Sequence, residues 1–171
     1  IHARKAWLKG LSPKENRDIP PLNYARVQAI KAQHPELQVI INGGITSLAQ
    51  GKALIAGDEG PALDGVMVGR EAYHNPYSMA RVDQELFGDS RPVLSRAQIM
   101  TAYLPYVESQ LAEGTPLQHM TRHILGLYKG QNGGLFRRHL SENAFRKGAG
   151  LTVLEDAIAI AEQHENSRLS A

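Results

Sequence analysis

Two short apolar segments in the first half of the chain each end in a glycine turn. Val39–Ile45 contains the turn Asn-Gly-Gly, and Leu63–Arg70 ends in Gly-Arg. In both segments apolar residues occupy consecutive positions, which is typical of strands buried on both faces of a parallel sheet. Between them, Thr46–Gly57 predicts a helix with Thr46 or Ser47 as its N-cap. The pattern therefore predicts a βαβ unit with glycines at the carboxyl ends of both strands.

The residues around this unit predict further parts of an α/β fold. Ile1–Ala3 has the character of the end of a strand, and Asn23–His34 predicts a helix from its apolar stripe. Between these, Arg4–Pro21 is interrupted by glycine and proline and predicts a long loop. Long loops at the carboxyl ends of barrel strands are typically functional. Tyr77–Phe87 predicts the last helix of this region.

The second half of the chain predicts helices. Its apolar residues recur at helical spacing, with a break at Gly130–Gly134. The predicted helices are Ser95–Glu113, Pro116–Lys129, Leu135–Phe145 and Leu151–His164. Because Gly88–Pro92 is polar and rich in turn residues, we place a domain boundary there. We predict an α/β domain over residues 1–90 and a small all-α helical bundle over residues 91–171.

The two glycine turns favour one architecture. Taken alone, Asn42–Gly44 is as typical of an ordinary turn at a strand end as it is of a ligand-binding turn. In (β/α)₈ barrels, however, the loops after the last two strands commonly form a phosphate site, where glycine lets backbone N–H groups approach an anion closely. Too few strands are predicted here to close such a barrel. We therefore expect the C-terminal part of a (β/α)₈ TIM barrel, with the missing N-terminal barrel half preceding Ile1.

Composition narrows the chemistry that these elements can carry. The 171 residues include no cysteine, which excludes disulfides, thiolate metal sites and a cysteine nucleophile formed from these residues. No apolar segment approaches the roughly 20 residues of a membrane span, and no signal-peptide pattern is recognised. We expect a cytoplasmic protein that does not bind a membrane.

Basic residues concentrate in two segments, although the formal net charge is only +2. Ile1–Asp18 contains five lysines or arginines and two acidic residues. His119–Gly150 contains six lysines or arginines and one acidic residue. Such segments are either solvated faces or binding surfaces for a polyanion. Neither segment by itself distinguishes these roles.

Three side chains near the glycine turns and the basic loop have two interpretations each. Arg70 either binds a phosphate or forms an ion pair with an acid such as Glu71 or Asp64. Trp7 and Tyr73 either pack in a core or stack on a nucleobase.

The histidines raise the question of a metal or ligand site. His119 and His123 have the helical spacing of a zinc pair, but no third ligand is evident, so we predict no metal site. His2 lies at the end of a predicted strand and is either a core histidine or a ligand-binding residue.

Four stretches of the chain resemble the tRNA-dihydrouridine synthase family of flavoproteins. They cover His2–Arg17, Ile41–Gly44, Asp64–Arg70 and Leu140–Asn143. The first is long and unusual in composition, which makes the resemblance specific. The resemblance implies a barrel that holds FMN and a C-terminal helical domain that holds tRNA. It also implies reduction of D-loop uridine, in the region of positions 20 and 20a, to dihydrouridine with NADPH.

The resemblance also implies roles for individual residues. His2 matches a flavin-contacting histidine, and Gly69 and Arg70 match the pair at the FMN phosphate. An arginine fork with backbone N–H groups suits a phosphate monoester. The predicted FMN-binding residues are His2, Asn42, Gly43, Gly44, Gly69 and Arg70. The predicted tRNA-binding residues are Lys14, Arg17, Arg137 and Arg138.

The family's proton donor to uracil is a cysteine, which is absent here and which we expect upstream of Ile1. We therefore predict no catalytic residue in this chain and expect the chain alone to be inactive. The whole enzyme would be an FMN-dependent oxidoreductase and a monomer. Two other functions stay open, namely a non-catalytic RNA-binding module and an FMN barrel oxidoreductase for a small molecule. The basic segments argue against the small-molecule substrate.

Overall fold

The computed structural model describes residues 1–169, with side chains described through residue 163. The last two residues of the predicted helical domain lie outside the described residues. The chain packs as two compact units. The first unit comprises Ile1–Ala72 and Glu85–Gly88, and the second comprises Tyr73–Gln84 and the residues from Asp89 onward. Residues 73–84 thus pack in the second unit although they precede the boundary predicted after residue 90. The extent of the functional domains stays a prediction.

The first unit is built on a short parallel sheet. Strands β1 (Ile40–Asn42) and β2 (Gly65–Met67) pair in parallel, and helix α2 (Leu48–Ala56) connects them. Helix α1 (Tyr24–Gln33) precedes β1. The predicted βαβ unit is therefore confirmed. Arg4–Pro21 is a loop as predicted, with one turn of 3-10 helix near its end.

Local hydrogen bonds set the ends of both helices in this unit. The Asn23 side chain accepts a hydrogen bond from the N–H of Arg26 and caps α1. The Ser47 hydroxyl accepts one from the N–H of Gln50 and caps α2. Gly57 ends α2 in the left-handed conformation, with φ of 81°, which glycine adopts without steric cost. Because these signals are local, the sequence pattern predicts both helices within a residue or two.

The sheet is buried on one face only, which corrects the prediction of two buried faces. Ile41 is fully buried and packs in a core with Val27 and Leu54. Ile40 is 51% exposed and Met67 is 47% exposed. Successive side chains on a strand point to opposite faces. Within the described part of the chain, the face that carries Ile40 and Met67 therefore has no covering layer.

The remaining elements are helical, so that the described chain is a mixed α/β structure with mostly helices. A 3-10 helix covers Pro76–Arg81, in the first part of the predicted helix Tyr77–Phe87, because a proline begins it and Ser78 donates to the carbonyl of Asn75. No helix among residues 1–169 is both long and apolar enough to cross a membrane. The α-helices are α3 (Arg70–His74), α4 (Val82–Phe87), α5 (Arg96–Ala112), α6 (Leu117–Thr121), α7 (Gly130–Asn143) and α8 (Leu151–Leu169).

The second unit closes its core between helices. Helix α8 packs against α7 and α5. Ser95 and Gln98 form a capping box at the start of α5. The buried residues of this core include Met100, Val107, Leu117, Phe136, Leu140 and Leu154.

Two predicted helix boundaries in the second unit are wrong. Helix α6 ends at Thr121 instead of Lys129, and α7 begins at Gly130, where a break was predicted. The chain after α6 passes so close to His74 that a Cβ on Gly126 would lie 2.3 Å from the His74 carbonyl oxygen. A Cβ on Gly133 would lie 2.2 Å from the carbonyl oxygen of Tyr128. Glycine marks close backbone approach at both places, which sequence periodicity does not reveal.

Candidate functional site

Three parallel strand ends lie side by side in the first unit. Residues of β1 and β2 are in register, with Ile41 opposite Val66 and Asn42 opposite Met67. His2 forms a parallel bridge with Asn42, in which Ala3 N–H donates to the Asn42 carbonyl at 2.7 Å and Asn42 N–H donates to the Ile1 carbonyl at 2.9 Å. The predicted strand character of the first residues is therefore confirmed. The strand ends that carry His2, Asn42 and Met67 are adjacent.

The three in-register residues share the open face of the sheet. Residues directly opposite each other in a sheet point to the same side. His2, Asn42 and Met67 therefore project from the face that carries exposed Ile40, whereas Ala3 projects to the buried face and is 4% exposed. Met67 was not identified from the sequence, because the apolar pattern does not fix the register between the two strands.

The His2 ring is held in one orientation. Its Nδ1 accepts a hydrogen bond from the N–H of Arg4 at 3.1 Å. In the neutral imidazole the proton is therefore on Nε2, which leaves an N–H donor for a ligand. The ring also lies against the first glycine turn, because its Cε1 is 3.2 Å from the position of a Cβ on Gly43.

Gly43 and Gly44 are required by the fold of the chain itself. Both have positive φ, 122° at Gly43 and 67° at Gly44, a region that side-chain-bearing residues rarely adopt. A Cβ on Gly44 would lie 2.4 Å from Cδ1 of Leu22. These two glycines thus shape the turn after β1, whether or not a ligand is present.

A hydrogen-bond network involving Tyr24 supports this turn. The Tyr24 hydroxyl donates to the Gly43 carbonyl at 2.7 Å and accepts from Nε2 of Gln50 at 3.2 Å. The Gln50 Oε1 accepts from the N–H of Thr46 at 3.1 Å. Helices α1 and α2 therefore both hold the turn. Nothing in the sequence pattern indicates this role for Tyr24.

Gly69 differs from the first two glycines. Its φ lies outside the left-handed region, and the nearest atom to a Cβ placed on it is the Met67 sulfur at 3.8 Å. A Cβ at position 69 would therefore make only an ordinary van der Waals contact. The packing of the described residues does not require glycine there, and its backbone is open to an approaching ligand.

Arg70 is paired with an acid that the sequence did not suggest. Its Nη1 donates to Oδ1 of Asp18 at 2.6 Å, and both side chains are about half exposed. The Arg70 guanidinium lowers the pKa of the Asp18 carboxyl from its ordinary value. Asp64, an alternative partner in the sequence analysis, is instead bound by Lys31 at 2.9 Å and by the N–H of Val39.

The basic loop carries Lys14 and Arg17 on its surface. Both are exposed, at the start and the end of the 3-10 turn. The amide side chain of Asn16 accepts from the N–H of Trp7 at 2.8 Å and donates to its carbonyl at 3.0 Å. Trp7 is 44% exposed. Its ring is therefore accessible in the described chain rather than part of a core.

The predicted RNA-binding arginines of the second unit differ from each other. Arg137 is exposed, but its Nη1 donates to the carbonyl of Tyr128 at 3.3 Å, which ties it to the start of α7. Arg138 is exposed, and no partner for its guanidinium is found among the side chains described through residue 163. Arg138 is therefore the more available of the two for a ligand.

His123 contacts two neighbouring side chains in the second unit. His123 faces the Tyr73 hydroxyl at 3.3 Å through Nδ1, and Arg122 Nε donates to its Nε2 at 3.0 Å. Tyr73 is 56% exposed, which decides against a core role. Among the described residues, no group of three or more His, Cys, Asp or Glu side chains is placed to hold a metal ion.

Comparison with known proteins gives consistent matches. The family model for dihydrouridine synthases matches residues 1–163. Over 160 residues the chain is 54% identical to the tRNA-dihydrouridine(20/20a) synthase of Vibrio cholerae, covering 93% of this chain and 47% of that protein. The Escherichia coli K12 protein of the same name is 52% identical over 161 residues, and this match covers 94% of this chain and 45% of that protein. The chain spans about half the length of the curated relatives it matches.

Proposed function

Since the chain belongs to the dihydrouridine synthase family, we propose that it forms the part of a tRNA-dihydrouridine synthase that holds FMN and contacts tRNA. The resemblance in the sequence to this family is confirmed by the family match. The observation that carries the proposal is the alignment of His2, Asn42 and the Gly69–Arg70 turn at adjacent ends of parallel strands. This is where parallel α/β folds bind their ligands.

The residues at these strand ends fit a phosphate monoester. Gly69 leaves its backbone uncovered, because no atom lies closer than 3.8 Å to the position that a Cβ would take there. Arg70 is half exposed and uses Nη1 for Asp18. The remaining guanidinium N–H groups suit phosphate oxygens, because arginine binds phosphate through a planar fork of donors. In this proposal Gly69 and Arg70 hold the phosphate of FMN.

The other predicted FMN residues occupy the open face and the turn after β1. His2 offers its Nε2–H, and Asn42 offers its side-chain amide, to the flavin end of the cofactor. Gly43 and Gly44 have no side chain, so that the backbone of the turn can lie close to the His2 ring. FMN, when bound and reduced by NADPH, would supply a hydride to the uracil ring of the substrate. His2 and Asn42 would orient the flavin ring for that transfer.

The exposed sheet face supports a larger barrel. Ile40 and Met67 are half exposed, whereas the interior of a (β/α)₈ barrel is filled by side chains from all strands. We propose that strands outside this chain cover this face and bring the cysteine that protonates uracil. The protein with those strands is called the complete protein below. In the proposal it is monomeric and cytoplasmic, and residues 91–171 form the helical tRNA-binding domain.

The proposed RNA substrate follows from the relatives and from the basic side chains. The relatives are tRNA-dihydrouridine(20/20a) synthases, so we propose the D-loop uridines at these positions as the target. Loops favour base extrusion toward a reactive cofactor, since unstacking a base costs least there. Lys14 and Arg17 on the basic loop and Arg137 and Arg138 on α7 supply positive charge for the RNA backbone.

A titration with two flavins tests the cofactor assignment in the complete protein. FMN carries a phosphate and riboflavin does not, so Arg70→Ala should weaken FMN binding by about tenfold and leave riboflavin binding unchanged. His2→Ala should weaken both. Flavin fluorescence measures each affinity, and Arg26→Ala, an exposed arginine of α1, is the control. Equal weakening of both flavins by Arg70→Ala would show that Arg70 does not bind the phosphate.

The chain alone provides a second test of the cofactor assignment. Because part of the proposed pocket wall lies outside it, the 171-residue chain should bind FMN weakly or not at all. Tight, stoichiometric binding in the same fluorescence titration would contradict this assignment of the pocket.

Salt dependence tests the RNA assignment. Each phosphate contact of a cationic side chain contributes roughly −0.7 to −0.9 to the slope of log affinity against log salt concentration. Arg138→Ala in the complete protein should therefore weaken tRNA binding and flatten this slope, as should Lys14→Ala and Arg17→Ala. Arg137→Ala also removes a bond to Tyr128, so its folding stability is measured in parallel. Lys52→Ala, on exposed α2 surface, is the control. An unchanged slope and affinity for Arg137→Ala and Arg138→Ala would rule out RNA binding by α7.

A non-catalytic RNA-binding module is the second candidate function. The absence of cysteine from the sequence favours it, because the family's proton donor is then missing from these residues. Failure of the complete protein to bind either flavin, together with salt-dependent tRNA binding, would favour this candidate.

A further inference from the structure

The basic loop is connected to Arg70 through a single side chain, that of Asp18. The loop leaves the His2 strand at Arg4 and returns at Leu22, which forms an antiparallel bridge with Arg4. The Arg4 guanidinium donates to the backbone carbonyls of Asp18 and Pro20 and so ties the two ends of the loop together. From this tied end, the Asp18 carboxylate reaches across to Arg70 at 2.6 Å.

We propose that Asp18 is a positioning residue that couples the basic loop to the phosphate site, so that binding of a flavin phosphate at Arg70 orders the loop that presents Lys14 and Arg17. The inference rests on the proposed function, because it takes Arg70 as the phosphate ligand. It adds a link by which the cofactor prepares the RNA-binding surface.

Arginine can bind Asp18 and a phosphate together. Its guanidinium presents several N–H donors in a fixed planar fork. Asp18 accepts from Nη1, which leaves donors on the other edge for phosphate oxygens. A phosphate bound there restrains the guanidinium, and the restrained guanidinium restrains the Asp18 carboxylate. The loop and the phosphate therefore share one ordered side chain.

The rest of the loop makes few contacts with other parts of the unit, so that the Asp18–Arg70 ion pair has a large influence on the order of the loop. Leu8 is 94% exposed and Trp7 is 44% exposed, whereas Pro20 at the tied end is fully buried. The bonds around Ser12, Glu15 and Asn16 lie within the loop itself. Segments with few buried contacts open at low free-energy cost. The order of Lys14 and Arg17 thus depends on the tied end.

The effect of removing the Asp18 carboxylate on folding stability distinguishes a coupling role from general stabilisation of the fold. Exposed ion pairs change folding stability little, so removing the Asp18 carboxylate should leave the fold intact. Its effect should instead appear in FMN binding and in loop order, and by thermodynamic linkage in both together.

Limited trypsin digestion of the complete protein, with and without FMN, tests the coupling. Cleavage after Lys14 is followed by mass spectrometry, and the rate ratio with and without FMN is compared within each variant. This ratio cancels any change in the intrinsic cleavage rate near the substituted residue. In the wild type, saturating FMN should slow cleavage by about two- to fivefold, the range of an exposed ion pair.

Four variants give the expected pattern and its control. Asp18→Asn should abolish the slowing by FMN and weaken FMN binding by about two- to fivefold, and Asp18→Glu should restore part of both. Asp89→Asn removes another Asp–Arg pair, with Arg91 at 2.5 Å in the second unit, and should behave as the wild type. If Asp18→Asn fails to fold, Arg70→Lys, which keeps the charge without the fork, should show the same loss of FMN-dependent protection.

Persistence of FMN-dependent protection in Asp18→Asn, or its equal loss in Asp89→Asn, would overturn the coupling while the proposed function stands. Absence of FMN binding by the wild type would overturn the proposed function and this inference with it.

Discussion

The two units place their buried side chains differently. The second unit closes on itself, and Phe136, Leu154 and Ala157 at its centre have no exposed surface. The first unit buries Ile41 on one face of its sheet and leaves Ile40 on the other face half exposed. The proposed cofactor residues lie on that open face and at its edge. Packing therefore dominates one unit, while the other keeps an unfilled face where a ligand or further strands can bind.

Removing a core aromatic from the second unit should have the largest effect. Phe136 is fully buried and its ring centre lies 4.9 Å from that of Tyr128. Phe136→Ala should lower the free energy of unfolding by about 3–5 kcal/mol, because it removes apolar burial and leaves a cavity. Urea unfolding measures the change, with Phe145→Ala, which is 62% exposed, as the control. Equal small effects for both variants would contradict a closed core.

A substitution in the first glycine turn should have the next largest effect. Gly44→Ala forces a positive φ of 67° on alanine and places its Cβ 2.4 Å from Leu22. We expect a loss of about 1–3 kcal/mol. Gly134→Ala, in open space on α7, should instead raise stability by up to about 1 kcal/mol, because alanine favours helix more than glycine. Thermal unfolding distinguishes the two, and a stable Gly44→Ala would show that the turn is less constrained than its geometry indicates.

Loss of the hydroxyl that supports this turn should have a smaller effect. Tyr24→Phe removes the bonds to the Gly43 carbonyl and to Gln50 and should cost about 1 kcal/mol. Hydrogen exchange of residues 43–46 should also increase. Tyr106→Phe, at a half-exposed tyrosine of the second unit, should change neither. Unaltered exchange in Tyr24→Phe would exclude a supporting role for this network.

Acid should weaken the interactions of the Asp64 carboxylate with Lys31 and with the N–H of Val39, just before β1. Hydrogen bonds from Val39 N–H and Lys31 lower the pKa of the Asp64 carboxyl below its ordinary value of 3.8. A carboxyl with a lowered pKa stabilises the fold above its ordinary pKa and loses this contribution as the pH falls through the folded value. Asp64→Asn should therefore be less stable than the wild type at pH 7, and the difference should shrink below about pH 4. Asp58→Asn, at an exposed loop residue, is the control; a difference that persists in acid would contradict the ionic contribution.

The smallest effect on stability is expected for Gly69→Ala. This substitution distinguishes a glycine needed for ligand binding from a glycine needed for packing. Gly69→Ala meets no atom closer than 3.8 Å, so the free energy of unfolding should stay within about 0.5 kcal/mol of the wild type. FMN binding by the complete protein should nevertheless weaken, because the methyl group lies where the phosphate approaches. Paired unfolding and flavin titrations test both expectations. Unchanged FMN affinity would show that no ligand approaches this backbone.

Local chemistry explains what could be predicted. The N-caps Asn23, Ser47 and Ser95 and the helix-ending Gly57 are signals within a few residues of the helix ends that they determine. The βαβ unit follows from apolar segments on either side of such a helix. The family resemblance extended this to the proposed site residues, which the strand register then placed at adjacent strand ends.

Periodicity failed where distant backbone segments meet. After the end of α6 and in the first turn of α7, Gly126 and Gly133 lie against the carbonyls of His74 and Tyr128. The exposure of Ile40 depends on which layers cover the sheet, because consecutive apolar residues predict burial without saying what provides it.

The sequence by itself determined the helix caps, the parallel strand-turn pattern, the absence of a cysteine donor and the family. Only the tertiary structure decided that Asp18 binds Arg70, that Tyr24 holds the Gly43 turn, and that Gly69, unlike Gly43 and Gly44, has room for a Cβ. The physical reason is the range of the forces involved. Caps and turns are satisfied by neighbouring residues, whereas an ion pair between residues 18 and 70 exists only after the sheet has brought their loops together.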